Sequence, residues 1–209
     1  MAIEPSKTTK ADRTKLKIAL TAERLVAELG LGAVSARMVS REAGLGNNSS
    51  LHYHFGSLES VFEFLIRYRI QILDGIRRDM MDRSGTVLTL DQLVEFICLP
   101  HFQLVDDAGR YPYAGFLSEY LSLRYPGGFP WIMEAPSRDS TALVEIIGQL
   151  RMRLPDLPLN LFQRRVANAT LLFVNVLRGS RPDDNTPALH PDDPVIIDTL
   201  RQAAGLLMS

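Results

Sequence analysis

Cysteine is nearly absent from this sequence. Of 209 residues only Cys98 carries a thiol, so one chain can form no internal disulfide and no multi-cysteine metal site. A single thiol in an apolar run is typical of a protein from a reducing compartment. We therefore expect a cytoplasmic protein that holds no metal and no cofactor.

Long apolar runs are missing as well. No stretch approaches the roughly 18 uninterrupted apolar residues that predict a membrane span. Residues 1–10, MAIEPSKTTK, lack the apolar segment of a signal peptide. We expect no membrane partner, and we interpret this polar segment as a disordered arm.

The sequence also lacks the common catalytic motifs. It contains no GxSxG, HExxH, P-loop or GxGxxG pattern. His52 and His54 are two residues apart, so on a helix they point in different directions and do not share a metal. Cys98 and His101 could share a helix face, but two ligands make an incomplete site. We therefore expect no enzymatic activity.

Charge is unevenly distributed along the chain. Residues 1–55 carry eight basic and five acidic side chains, a net charge of +3, whereas the whole chain has a net charge of −1. The remainder therefore carries −4. A basic N-terminal module on an acidic body is expected when one end of a protein meets phosphate.

Within the basic part, residues 35–55 predict two short helices joined by a tight turn. Ser35 is a helix N-cap residue, and Gly44 lies where a helix end favours a left-handed conformation. The second helix has no acidic residue, and its amides, hydroxyls and imidazoles suit base edges and phosphates. This pattern predicts a DNA-binding helix-turn-helix. Its polar side chains are Asn47, Asn48, Ser49, Ser50, His52, Tyr53 and His54.

The rest of the chain shows helical periodicity and no strand-length alternation. The fold class predicted is all-α, with about nine or ten helices. A Thr89-x-x-Gln92 capping box starts the fifth helix, Pro100 interrupts it, and Pro194 starts the last. The other predicted helices cover 11–30, 57–82, 113–124, 138–153 and 160–178, the last of these capped by Asn160.

The run IALTAERLVAELGLGAVSARMVSREAGLG from Ile18, followed by LHYHFGSLESVF from Leu51, resembles the N-terminal domain of TetR-family transcriptional regulators. The resemblance covers roughly residues 12–66. Its most specific pieces are Gly30, the Arg41-Glu42-Ala43-Gly44 sequence and the Tyr53-His54-Phe55-Gly56-Ser57 sequence. It implies a three-helix DNA-binding domain at 1–57 and a helical ligand-binding and dimerisation domain at 58–209.

Matched to the family, Asn48, Ser49, Ser50 and His52 are the candidates for contacting base edges. Asn reads adenine, and His donates to an acceptor on guanine or to a phosphate. Tyr53 and His54 are expected at phosphates, and Ser35 and Arg37 match positions near the DNA backbone.

Two departures from the family pattern bear on these contacts. The turn at Gly46-Asn47-Asn48 is one residue longer than is common in the family. The sequence therefore leaves open which Asn caps the second helix and which contacts a base. Leu58 replaces a Lys that contacts phosphate in many members.

The resemblance also implies a ligand pocket and a dimer interface in the body, with packing inside one chain as the alternative for every residue. The pocket candidates are mostly aromatic: Phe96, His101, Phe102, Tyr113, Phe116, Glu119, Tyr120, Trp131, Phe173 and Asn175. The interface candidates come from the helices at 138–153 and 160–178: Leu143, Ile147, Leu150, Ala167, Thr170, Leu171 and Val174.

Together these expectations describe a homodimeric transcriptional repressor. It would bind a near-palindromic operator in double-stranded DNA and be released by a small lipophilic or aromatic effector. The sequence does not exclude the opposite regulation, in which the effector enhances DNA binding or the protein activates transcription. The alternatives are a helical adaptor without DNA binding and an all-α enzyme that uses the body cavity.

Overall fold

The computed structural model of the chain describes residues 9–45, 49–85, 87–124, 141–180 and 188–208. Within these ranges it contains nine α-helices, two short 3-10 helices and no strand, which confirms the predicted all-α class. The 3-10 helices cover Leu31–Ala33 and Leu99–Leu104. The α-helices are α1 Lys10–Leu29, α2 Ala36–Glu42, α3 Ser49–Phe55, α4 Leu58–Arg83, α5 Leu90–Cys98, α6 Pro112–Leu123, α7 Ala142–Arg153, α8 Leu159–Gly179 and α9 Pro194–Met208.

The chain divides into two compact units, Met1–Arg69 and Ile70–Ser209, which we call the N-terminal and C-terminal units. The division falls inside α4. The functional boundary between residues 57 and 58 stays a prediction, because a division by packing does not test which residues bind DNA.

The N-terminal unit is built around α1. Thr9 and Asp12 form a capping box at its start, so Thr9 and Lys10, which the sequence places in a disordered arm, belong to the beginning of the helix. Gly30, with a φ of 83°, ends it as predicted. The core packed beneath α1, α2 and α3 consists of apolar side chains without exposed surface: Ile18, Ala22, Val26, Val39 and Leu51.

In the C-terminal unit α8 packs against α6 and α9, and α5 packs against α7 and α9. The predicted capping box of α5 is present. Pro100 lies in the first turn of the 3-10 helix that follows α5, where its missing backbone N–H breaks no helical hydrogen bond. The fully buried core includes Leu93, Ile146, Phe162, Phe173 and Ile196.

One predicted cap is wrong. The helix α8 begins at Leu159 with Pro158 at its N-cap position, so Asn160 lies inside the first turn. Pro158 has a φ of −53° and a ψ of 140°, and no side chain caps this helix start. Among the described helices, none has both the length and the apolarity to cross a membrane.

Candidate nucleic-acid interface

The first helix of the predicted helix-turn-helix begins at a side-chain cap. The Ser35 hydroxyl oxygen accepts a hydrogen bond from the backbone N–H of Met38, at 3.3 Å. This satisfies one of the N–H groups that a helix start leaves without a partner. Val39 on α2 and Ala43 directly after that helix are buried, whereas Arg37 and Arg41 are exposed.

The turn after α2 depends on Gly44. Its φ of 63° lies in the left-handed region that glycine adopts without strain. The N–H of Gly44 donates to the Arg41 carbonyl at 2.9 Å, and the N–H of Leu45 donates to the Ser40 carbonyl at 3.0 Å. The chain therefore leaves α2 through a closed turn, as the sequence predicts.

The second helix, α3, is held by two hydrophobic side chains four residues apart. Leu51 has no exposed surface. Phe55 packs edge-to-face against Phe64, with ring centroids 5.3 Å apart, and the Lys15 ammonium lies 5.9 Å from the Phe55 ring centre. Because these anchors face inward, Tyr53, which is two residues from each of them, faces away from the core.

The outward face of α3 carries an aromatic and two imidazole rings. Tyr53 is 85% exposed, the largest exposed fraction among the large hydrophobic side chains of the described residues. His52 is exposed and His54 is half-buried. The rings of Tyr53 and His54 meet edge-on, with centroids 5.1 Å apart. The helix thus presents hydrogen-bonding rings to its surroundings.

The His52 ring is tied to the backbone at the end of α3. Its Nδ1 atom lies 2.8 Å from the carbonyl oxygen of Gly56. A carbonyl oxygen only accepts, so Nδ1 carries the proton and the neutral ring leaves Nε2 as an acceptor. In a neutral ring with this bond Nε2 accepts rather than donates, and the role of His52 at DNA stays a prediction.

Arg37 is the exposed cation of α2 for which the described residues provide no ion-pair partner. Arg41 instead pairs with Glu42 at 3.0 Å, and Glu42 also approaches Arg24 at 4.0 Å. Arg37 is therefore better placed than Arg41 to meet an external phosphate, because its charge is not offset by a neighbouring carboxylate.

A buried ion pair fixes α4 to α1 within the N-terminal unit. Arg69 donates from Nε and Nη2 to the two carboxylate oxygens of Glu23, at 2.7 and 2.6 Å. Burial raises the pKa of Glu23, and the hydrogen bonds and charge of Arg69 oppose that shift. No local pattern predicts this pair, since Glu23 and Arg69 are separated by 46 positions.

The remaining predicted DNA contacts are only partly placed. Asn47 and Asn48 lie outside the described residues, so which of them caps or reads stays a prediction. Ser49 is the first residue of α3, and Ser50 is half-buried. Leu58 begins α4 after Ser57, whose hydroxyl oxygen accepts from the N–H of Ser60 at 3.1 Å.

In the C-terminal unit, seven rings form one continuous packed cluster. Their centroids are 5.4 to 6.3 Å apart from one ring to the next. Six of the ten predicted pocket residues belong to it. The cluster consists of His101, Phe102, Tyr111, Tyr113, Phe116, Tyr120 and Phe173.

The other pocket candidates differ in surroundings. Phe96 is buried, whereas Asn175 is exposed and accepts from the Ser118 hydroxyl at 2.6 Å. Glu119 pairs with Arg178 at 2.9 Å. Trp131 lies outside the described residues. The structure brings the rings together, and it places Asn175 and Glu119 next to partners of the protein itself.

A buried arginine that the sequence did not single out lies close to this cluster. Arg77 is 2% exposed, donates to the Phe96 carbonyl at 3.2 Å and pairs with Asp74 at 3.2 Å. Burial, and then the charge of Arg77, lowers the pKa of His101 to about 4, so that ring is neutral near pH 7. The pattern that could have identified Arg77 in the sequence is an arginine adjacent to the apolar stripe of a helix.

Five of the seven predicted interface residues are buried within the single chain: Leu143, Ile147, Leu150, Ala167 and Val174. Thr170 and Leu171 retain partly exposed side chains. No group of three or more His, Cys, Asp or Glu side chains suited to a metal occurs in the part of the chain that the structure describes.

Comparisons with known proteins identify a similar solved structure. No protein-family model and no curated protein matches the chain. Among solved structures, GusR of Salmonella enterica is similar over 98% of this chain and 100% of that one. The sequence identity is 18% and the TM-score is 0.45.

Proposed function

We propose that this protein is a transcriptional regulator that binds double-stranded DNA through α3. The observation that carries the proposal is the outward face of that helix. Tyr53 is 85% exposed and His52 lies beside it, while Leu51 on the opposite side is completely buried. Exposed hydrogen-bonding rings suit contacts with phosphates and base edges, and a major groove admits a helix that carries such groups.

In this proposal the protein is a cytoplasmic homodimer. A two-fold dimer places two copies of α3 on the half-sites of a near-palindromic operator. The exposed apolar side chains of α8 and α9 support such contact between two copies better than the buried candidates of α7 do. They are Leu159, Leu161, Val195, Ile197, Leu206 and Met208.

The working mechanism is repression that a small lipophilic or aromatic effector relieves. The packed rings of the C-terminal unit supply the apolar surroundings that such a ligand favours. An effector acts only through its differential affinity for the DNA-binding and non-binding states. Because α4 contributes residues to both compact units, it is the element through which the proposal couples them.

A binding-site selection from random double-stranded DNA tests the central claim, followed by gel-shift titrations of the enriched sequence. We expect enrichment of a near-palindrome. Arg37→Ala should weaken binding to all sequences and reduce the slope of log affinity against log salt by about 1 per half-site. Arg201→Ala on α9 is the matched control, because it removes the same charge from an exposed site of the C-terminal unit.

The outcomes separate the candidate functions. If the wild-type protein enriches no sequence and retards no fragment at low salt, the regulator proposal fails and the helical adaptor replaces it. If Arg37→Ala and Arg201→Ala weaken binding equally, DNA is bound by net charge rather than by the helix-turn-helix.

A further inference from the structure

We propose that His52 contacts DNA as a hydrogen-bond acceptor, and that its Nε2 atom selects the exocyclic amino group of cytosine or adenine. This inference rests on the proposed function. It assigns to His52 a preference for cytosine or adenine over guanine. It also reverses the role expected from sequence, in which His52 donates to guanine or phosphate.

The first step is the position of the ring. Nδ1 of His52 lies 2.8 Å from the Gly56 carbonyl oxygen, a normal hydrogen-bond length. That oxygen has no hydrogen to give, so Nδ1 is the donor. Neutral imidazole has one N–H. When that N–H donates to the Gly56 carbonyl from Nδ1, Nε2 keeps a lone pair that can accept.

The second step is the rigidity of the partner. The N–H of Gly56 donates to the His52 main-chain carbonyl at 2.9 Å, so the two residues are joined by two hydrogen bonds in opposite directions. Gly56 has a φ of 76°, a conformation that few other residues adopt without strain. The preceding Leu51 is fully buried. The ring is thus oriented before DNA arrives.

The third step is the chemistry of the major groove. Its donors are the N4 amino group of cytosine and the N6 amino group of adenine. Guanine N7 and O6, thymine O4 and the phosphate oxygens only accept, so each would face the Nε2 lone pair with another lone pair. The exposed ring therefore favours an amino-bearing base and disfavours guanine at the same position.

The test uses the full-length chain and its selected operator. Binding-site selection with His52→Phe, which keeps a ring and removes the acceptor, identifies the base position that depends on His52. Operators are then made with that base lacking its amino group, 2-pyrimidinone for cytosine or purine for adenine. We expect the wild type to lose about 2- to 10-fold in affinity, the value of one hydrogen bond, and His52→Phe to lose less.

Replacing guanines of the operator by 7-deazaguanine, which lacks the N7 acceptor, is the matched opposite change. We expect no His52-dependent loss there. A guanine preference at the His52-dependent position, or a His52-dependent loss with 7-deazaguanine, overturns the proposal and leaves the regulator function intact. So does an unchanged preference in a folded His52→Phe protein.

If His52→Phe does not fold, His52→Ala takes its place in the selection and with both substituted operators, because it also removes the acceptor from this exposed position. If the wild type selects no DNA sequence, the proposed function fails and this inference fails with it.

Discussion

The two compact units each bury one ion pair on the same helix, α4, but they bury opposite partners. In the N-terminal unit the acid is inside: the Glu23 side chain is 4% exposed and that of Arg69 is 16% exposed. In the C-terminal unit the base is inside: the Arg77 side chain is 2% exposed and that of Asp74 is 15% exposed. Burial accordingly raises the pKa of Glu23 and lowers that of Arg77.

The two pairs also differ in what they join. Arg69 reaches across to α1 and uses both carboxylate oxygens of Glu23. Asp74 pairs with Arg77 on its own helix, but it also accepts the backbone N–H groups of Ala142 at 2.9 Å and Leu143 at 3.3 Å. Asp74 therefore serves as an additional cap for α7, supplied from a distant part of the chain.

The difference teaches that similar pairs have different functions in the fold. The Glu23–Arg69 pair is a cross-link between two helices. The Arg77–Asp74 pair belongs to a network that includes the Phe96 carbonyl and the first N–H groups of α7. Removing one member of a network leaves several buried polar groups without partners, and each such group destabilises the fold.

The largest expected effect is that of Arg77→Met, which leaves Asp74 and the Phe96 carbonyl without their guanidinium. We expect the free energy of unfolding to fall by about 3–5 kcal/mol, the usual cost of breaking a buried pair. Chemical denaturation followed by circular dichroism measures it.

Its matched control is Arg78→Met, the same substitution one residue later. Arg78 pairs with Glu145 at 2.8 Å, but its side chain is 46% exposed. Surface pairs contribute about 0–1 kcal/mol. Equal losses in the two variants would show that the buried network does not stabilise the C-terminal unit.

A smaller effect is expected for Glu23→Gln in the N-terminal unit, because glutamine keeps the shape and one acceptor. We expect a loss of about 1–2 kcal/mol, because one of the two Arg69 donors is left without an acceptor. Glu28→Gln is the control. It removes an acid of the same helix whose side chain is 40% exposed and pairs with Arg24, and it should cost no more than about 0.5 kcal/mol.

The pH dependence of the free energy of unfolding of the wild type and of Glu23→Gln gives a second test. The pKa of Glu23 is raised in the folded state, so the folded protein binds its proton more readily than the unfolded chain does. Stability from this group is complete below the unfolded pKa and is lost as pH rises through the folded one. The advantage of wild type over Glu23→Gln should therefore shrink from pH 4 toward pH 7, and a growing advantage would contradict the raised pKa.

The smallest effect concerns the additional cap. Thr141 caps α7 by accepting from the Val144 N–H, and Asp74 covers the neighbouring N–H groups. Thr141→Ala should cost about 0.5 kcal/mol, the low end for N-caps. Thr89→Ala removes the capping box of α5, for which we expect about 1–2 kcal/mol. Thermal unfolding of both variants compares them, and a larger loss at Thr141 would mean that Asp74 does not share the capping of α7.

Sequence reasoning succeeded where a feature depends on neighbouring residues. The caps at Ser35 and Thr89, the left-handed Gly44 and the break at Pro100 are local, and all are present. It failed at Asn160, because the helix begins one residue earlier, at Leu159, with Pro158 at the N-cap position.

What sequence could not predict depends on contacts between distant residues. Asp74 and Ala142 are 68 positions apart, and no periodicity indicates which acid reaches which helix end. Arg77 occupies the edge of an apolar stripe, where an exposed and a buried arginine look alike in sequence. For His52 the residue type was identified, but its hydrogen-bonding role depends on the backbone atom that its ring meets.

The isolation of Cys98 has a practical consequence for spectroscopy. The thiol is buried, and that burial raises its pKa to about 12, so almost none of it is the thiolate that reacts with maleimides or methanethiosulfonates. Because the chain has no other cysteine, a cysteine introduced at exposed Asn168 would accept a spin label without a background signal. If two copies associate, one label per chain would report their separation directly.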